Sequence, residues 1–397
     1  MLIVDAHLDL AWNALQWNRD LLQSAHTIRQ QEVSMTEPGR GQGTVALPEL
    51  RRGRVALLFA TTLARCTGRL EPHVDYLSPA QAYAAAQGQI AYYRALESQG
   101  HIRIIVDAQS LDSHVARWEA WDTGDTGDTG DTGDTGKRPE LAEAPPLGVV
   151  LSMESADPIV RPGDLAAWHA AGVRLIGPTH YGPGRYAGGT GTESGLTPLG
   201  VELLAEMGRL GVLLDLTHFS DQAFWQALER YDGPVLASHT NCRALVPRQR
   251  QFDDAQLRAI IARDGVVGAA LDAVMLEPAW IVGAATNPRV PLERVVEHVD
   301  HICQLAGNAR HVAIGSDLDG GFGREQSPYD LDTVADLQRL RGPLAARGYG
   351  EDDVAAILHG NWLRLLRRAW QHGVPLEAAQ TLIAGALAWS GEDRTDG

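Results

Sequence analysis

Cysteine is scarce in this sequence: Cys66, Cys242 and Cys303 are the only three in 397 residues. They are far apart, odd in number and form no CxxC pair, so neither a disulfide framework nor a thiolate zinc site is indicated. Positive charge is also in short supply, with 34 Lys and Arg against 50 Asp and Glu and a net charge of −16. That balance argues against nucleic acid or an anionic membrane surface as the main partner. The N-terminus has no basic start, apolar core or small-residue cleavage site, and already carries Asp5, His7 and Asp9. The most apolar later stretch, GVVGAALDAVMLEPAWIVGAA, contains Asp272, Glu277 and Pro278 and is a poor membrane span. The final GEDRTDG fits no lipid-anchor tail. Together these absences lead us to expect a cytosolic protein without a membrane anchor.

What is present is a core. Hydrophobic residues make up 44% of the chain, which excludes wholesale disorder. Apolar, β-branched runs recur at LIVDAH, VALLFATT, IRIIV, LGVVLSME, VRLIGPT, GVLLDLTH, PVLASH, GVVGAAL and HVAIGSD. Amphipathic helical patterns separate most of them, such as PLGVELLAEMGRL at 198–210 and DDAQLRAIIAR at 253–263. Strands alternating with helices predict a parallel sheet, and eight such units make an α/β fold of the (β/α)8 TIM barrel type. Nine candidates are one too many, so one is peripheral or misread. The triplet Asp-Thr-Gly repeats five times at 122–136. Pepsin-like aspartic proteases carry this triplet, but one copy in each of two β-rich lobes. Tandem copies without flanking strands read instead as a flexible acidic surface loop inserted into a single domain, 1–397.

The chemistry gathers at strand ends. His7 and Asp9 lie two residues apart after the first strand, on one face of an extended segment. Glu154 ends LGVVLSME, His218 ends GVLLDLTH, His239 ends PVLASH and Asp317 ends HVAIGSD. Three imidazoles and two carboxylates, plus one further Asp, would then meet at the C-terminal face of a barrel, where barrel enzymes keep their chemistry. Packing alone does not produce such a set, although Asp215 or Asp319 is close enough in sequence to replace a member. Imidazole and carboxylate without thiolate suit zinc, and also manganese, cobalt or iron. Five ligand groups exceed one four-coordinate catalytic zinc and suffice for two ions sharing a bridging carboxylate and water.

These residues sit in HLD, SMESAD, DLTHFS, ASHTNCRAL and IGSDLDGG, followed later by GNWLRLL. In order and spacing, from residue 3 to about 370, the set resembles the membrane (renal) dipeptidase family, M19, of the amidohydrolase superfamily. The resemblance implies that IRIIV is the peripheral strand. It implies one metal on His7, Asp9 and Glu154, with Glu154 bridging to a second on His218 and His239, both zinc. Asp317 would be the catalytic acid/base. His180, in GPTHYG, would polarise the substrate carbonyl. Arg250 would grip the terminal carboxylate, with Arg243 as an alternative clamp. The implied reaction is attack of a metal-bridged hydroxide on the peptide bond of a dipeptide or similar small amide. A homodimer is also implied.

Several positions depart from the family pattern. Leu8 and Trp12 replace residues expected on the pocket wall. The segment YGPGRYAGGTGTESG after His180 is glycine-rich and expected to be mobile. The seventh strand reads GAALDAVML, bringing Asp272 near the pocket either as a substrate contact or as a strand-end or helix-capping residue. Gln251 follows Arg250 in place of the family's Asn. The metal centre survives these changes, but the substrate is less constrained. An amidohydrolase acting on an N-acyl amino acid or a lactone is therefore the runner-up. A non-catalytic barrel descendant is disfavoured, because such a chain would be free to lose Asp317 and the ligands.

Overall fold

The computed structural model describes residues 1–69, 74–123 and 144–371. The strands, in chain order, are β1 (Ile3–Leu8), β2 (Val55–Leu63), β3 (Ile102–Ile104), β4 (Leu147–Glu154) and β5 (Val173–Gly177). They continue as β6 (Leu213–Asp215), β7 (Val235–Leu236), β8 (Val267–Ala269) and β9 (Val312–Ile314). Every strand pair is parallel, in the order β7-β6-β5-β4-β2-β1-β9-β8. A parallel bridge from Ala237, just after β7, to Val267 in β8 joins the two ends. The result is an eight-stranded (β/α)8 barrel. The ninth strand, β3, pairs only with β4 and stands outside the ring, so IRIIV is peripheral as the resemblance implied.

The strands are buried on both faces because helices cover the sheet from outside, which is why they read as near-continuous apolar runs. Inside the ring Val4, Ala6, Leu57, Phe59, Val150 and Leu213 pack into one cluster. Trp362 and Leu363 of the helix Asn361–Gln371 join that cluster. The Trp362 ring meets Phe59 edge-on at 5.3 Å, and its Nε1 donates to the Ile314 carbonyl at 2.8 Å. GNWLRLL is thus a packing motif, far in role from the ionisable strand ends.

Helix boundaries follow capping chemistry. Thr197 accepts from the Gly200 N–H and Pro198 opens the helix Pro198–Leu210, which ends at Gly211 in the left-handed region. Asp253 and Gln256 form a reciprocal capping box at the start of Asp254–Ala262.

Of two expectations about loops, one falls almost wholly outside the described residues and one is revised. Asp122 and Thr123 belong to the helix Ala108–Thr123, and the rest of the Asp-Thr-Gly repeat, like the final GEDRTDG, lies outside the described residues. The segment 181–195 is built in, with antiparallel bridges Pro183–Gly188, Ala187–Leu196 and Gly189–Phe219. Four of its glycines, at 184, 188, 189 and 195, serve close approach: a Cβ on Gly189 would lie 1.9 Å from the His180 carbonyl oxygen. Among the described residues no helix is long and apolar enough to cross a membrane.

Candidate active site

Strand ends deliver the predicted residues to one cavity of about 480 Å³. Asp9, Glu154, His180, His218, His239, Arg250 and Asp317 all line it, and His7 lies immediately beneath. Glu154 is the last residue of β4, whereas His180, His218, His239 and Asp317 each lie three residues beyond a strand. The ladders of β6 and β9 stop early because the chain must turn to aim these side chains inward. His218 and Asp317 adopt φ of 68° and 59°, a left-handed conformation that non-glycine residues rarely hold without a local reason.

Glu154 is the hub. Its Oε1 lies 3.1 Å from His218 Nε2, 3.4 Å from His239 Nε2 and 3.6 Å from His180 Nε2. Its Oε2 lies 3.5 Å from His7 Nε2, which is in turn 3.6 Å from Asp9 Oδ2 and 3.9 Å from Asp317 Oδ1. Burying this many ionisable groups is costly unless something pairs with them. Yet His7 Nε2, Asp9 Oδ1 and Glu154 Oε1 are buried without a hydrogen-bond partner. Among the described residues, three sets of donor atoms are close enough to hold an ion: His7–Glu154–His239, Glu154–His180–His218 and His7–Asp9–Asp317. The orphaned atoms and the all-N,O donor set fit divalent cations such as zinc.

Neighbouring hydroxyls set the imidazole tautomers. Thr190 Oγ1 donates to the His218 carbonyl and so accepts from His218 Nδ1 at 3.0 Å. Ser238 Oγ donates to Asp215 Oδ2 and so accepts from His239 Nδ1 at 2.9 Å. Each ring therefore turns an Nε2 lone pair toward Glu154, as a metal ligand must. Burial, with Arg250 and the other rings nearby, holds both histidines well below the ordinary imidazole pKa. His7 is opposite: burial opposes its charge, but Glu154 and Asp9 push its pKa well above the ordinary value. Burial raises Asp317 strongly, with Glu154 and Asp9 adding to it and His7 and Arg250 opposing. A divalent cation among these carboxylates would reverse that penalty.

The neighbours in reserve are committed elsewhere. Asp215 accepts from Thr217 and Ser238, and Asp319 accepts from the N–H and hydroxyl of Thr44 and the N–H of Val45. Arg250 is buried, spends Nη2 on the His239 carbonyl at 2.9 Å, and leaves Nη1 without a partner. Arg243 forks onto Asp221 at 2.9 and 2.7 Å and does not line the cavity, so the alternative clamp is withdrawn. Trp12 forms wall as expected, but Leu8 packs into the core between strands and helices. Gln251 is a loop brace whose Nε2 donates to the Val246 carbonyl at 3.0 Å. Asp272 caps the helix Ala273–Leu276 through the Val274 N–H, and it also lines the cavity. Burial pushes its pKa up to about 6.

Some participants escaped the sequence reading. Tyr181 lines the cavity and stands edge-on to His180 and His218, with ring centroids 4.9 Å from each. Asp5 accepts from the Ser316 N–H and hydroxyl, and so fastens β1 to the end of β9 just before Asp317. Asp215 and Ser238 fasten β6 to β7 in the same manner just before His239. The repeated pattern, an Asp on one strand and a Ser immediately preceding a site residue on its neighbour, is visible in the sequence only once strand adjacency is known.

Comparison with known proteins identifies relatives of the chain. Residues 139–379 match the model of the membrane dipeptidase family, peptidase family M19. An uncharacterized protein of Klebsiella pneumoniae is 36% identical over 216 residues, covering 52% of this chain and 76% of that one. An uncharacterized dipeptidase of Schizosaccharomyces pombe is 33% identical, covering 45% of this chain and 41% of that one. Rat dipeptidase 3 is 32% identical, covering 45% of this chain and 34% of that one. Among solved structures, dipeptidase AC, an M19 metallopeptidase, superposes with a TM-score of 0.68 at 25% identity, covering 93% of this chain and 99% of that one. A probable dipeptidase of Pseudomonas aeruginosa shares the fold, with a TM-score of 0.72 at 17% identity, covering 94% of this chain and 96% of that one. The chain belongs to the membrane dipeptidase family of metal-dependent hydrolases, peptidase family M19.

Proposed function

We propose that this chain hydrolyses dipeptides with a free C-terminal carboxylate, in a cavity whose floor holds two zinc ions. The observation that carries this reading is a pair of unsatisfied features: orphaned ligand atoms around Glu154 and, in the same cavity, the unpartnered Nη1 of buried Arg250. His7, Asp9 and Glu154 would hold one ion, and Glu154, His218 and His239 the other. Such ions would supply Lewis acidity and lower the pKa of a water. Arg250 presents its guanidinium to the substrate carboxylate, which two N–H groups can hold at once. His180 faces the scissile carbonyl oxygen as charge develops on it. Asp317 accepts the proton of the attacking water and returns it to the leaving amine. Asp272 favours a dipeptide over an N-acyl amino acid, because a carboxylate on the cavity wall has an ammonium to receive in the first and none in the second.

The test is hydrolysis of L-L and L-D dipeptides and N-acetyl amino acids by metal-stripped protein, before and after zinc is added. Zinc-restored cleavage of dipeptides is expected. Cleavage of the N-acetyl compounds alone would overturn the assignment.

A further inference from the structure

Three histidines face Glu154 Oε1 at similar distances, yet their outer nitrogens meet opposite chemistry. The hydroxyls behind His218 and His239 accept, which places the protons of those rings on Nδ1. Behind His180 stands Arg65, whose Nη1 lies 3.1 Å from His180 Nδ1 and 3.5 Å from the Tyr181 carbonyl oxygen. A guanidinium has only donors, so the contact requires an Nδ1 lone pair. The ring proton then sits on Nε2, the atom turned toward Glu154. Arg65 is itself fixed in place. It is buried, its N–H donates to the Val74 carbonyl at 2.9 Å, and its carbonyl accepts from Tyr76 at 2.8 Å. Its Nη2 lies 3.4 Å from Asp75 Oδ2, and Asp75 is held by the N–H of Thr67 at 2.8 Å.

We propose that Arg65 is a positioning residue that locks His180 as the Nε2–H tautomer, making it a hydrogen-bond donor to the substrate's carbonyl oxygen and withdrawing it from metal ligation. Glu154, His180 and His218 are close enough together to hold an ion, so distance alone does not distinguish a ligand from a donor here. The direction of the Arg65 contact does. The role toward substrate rests on the function proposed above, whereas the tautomer follows from the geometry alone.

The experiment uses zinc-loaded protein labelled with 15N-histidine, read by long-range 1H–15N correlation, with the His180 signal located by its loss in His180→Gln. The wild-type ring is expected as Nε2–H, free of zinc. Arg65→Met should shift it toward Nδ1–H, with bound zinc unchanged and kcat on a dipeptide lowered roughly 10- to 100-fold at nearly constant KM. Arg65→Lys, which keeps a donor, should retain the tautomer and recover most of kcat. An Nδ1–H tautomer or zinc-bound Nε2 in the wild type would overturn the proposal. So would a fall in kcat that tracks lost zinc, or an Arg65→Met enzyme with unchanged kcat. Should Arg65→Met not fold, the wild-type and Arg65→Lys spectra decide. Should the wild type cleave no dipeptide, the function reading fails while the spectrum still judges the tautomer.

Discussion

Asp317 shows how much one residue's surroundings ask of it. Its half-buried carboxylate stands beside His7, Glu154 and Asp9, on a backbone turned to φ 59°. Asparagine keeps its shape and removes the proton-carrying group. Asp317→Asn should therefore retain bound metal and lose roughly 10²- to 10⁴-fold in kcat, which metal analysis alongside steady-state rates would check. Arg250→Met should raise KM for substrates with a free carboxylate and leave C-terminally amidated analogues little changed. An equal loss for both would remove Arg250 as the clamp. At this scale the residues that meet in the cavity were legible because ionisable residues closing apolar strands have few purposes. For Arg243 a sequence shows a cation near the site but not Asp221 already paired with it. Arg65 was invisible for the same reason: its significance is a contact 115 positions away.

Between elements, fit is as restrictive as charge. Gly148, near the start of β4, lies under the helix Ala108–Thr123, and a Cβ there would come 2.4 Å from His114 Nε2 and 2.8 Å from Leu57 Cδ1. Gly148→Ala should cost about 1–3 kcal/mol through overpacking. Urea unfolding would show a lower midpoint, with kcat unchanged because the site is at the strand's other end. Element positions were readable from hydrophobic periodicity: β4 spans the expected 147–154, and the helix Pro198–Leu210 matches its pattern. The lengths of β6 to β9 were not, since apolar character continues past the point where the backbone leaves the ladder. In segment 181–195 the glycines at 184, 188, 189 and 195 permit close packing, which glycine content alone did not reveal.

Across the molecule, buried titratable groups away from the site tie stability to pH. His298, in the helix Glu293–Ala306, accepts the Cys242 N–H at 3.1 Å, and burial, helped by His301 and Arg294, pulls its pKa down to about 3. The unfolded chain takes up this proton near pH 6.5 and the folded chain only near 3. The contribution is therefore complete above 6.5 and is lost as pH falls toward 3, at up to about 1.4 kcal/mol per pH unit. The urea midpoint should fall from pH 7 to pH 5 by more in the wild type than in His298→Gln. An equal fall in both would assign the acid sensitivity to other groups.

The sequence by itself determined the barrel and the residue types at its mouth, because strand burial and strand-end chemistry are written in local pattern. Tertiary structure decided everything that depends on which strand neighbours which. That includes the closure of β7 on β8, the Asp–Ser fastenings at Ser238 and Ser316, and the proton position on each imidazole. A histidine's role is set by whether an acceptor or a donor stands behind it, and Thr190, Ser238 and Arg65 reach their places only through folding.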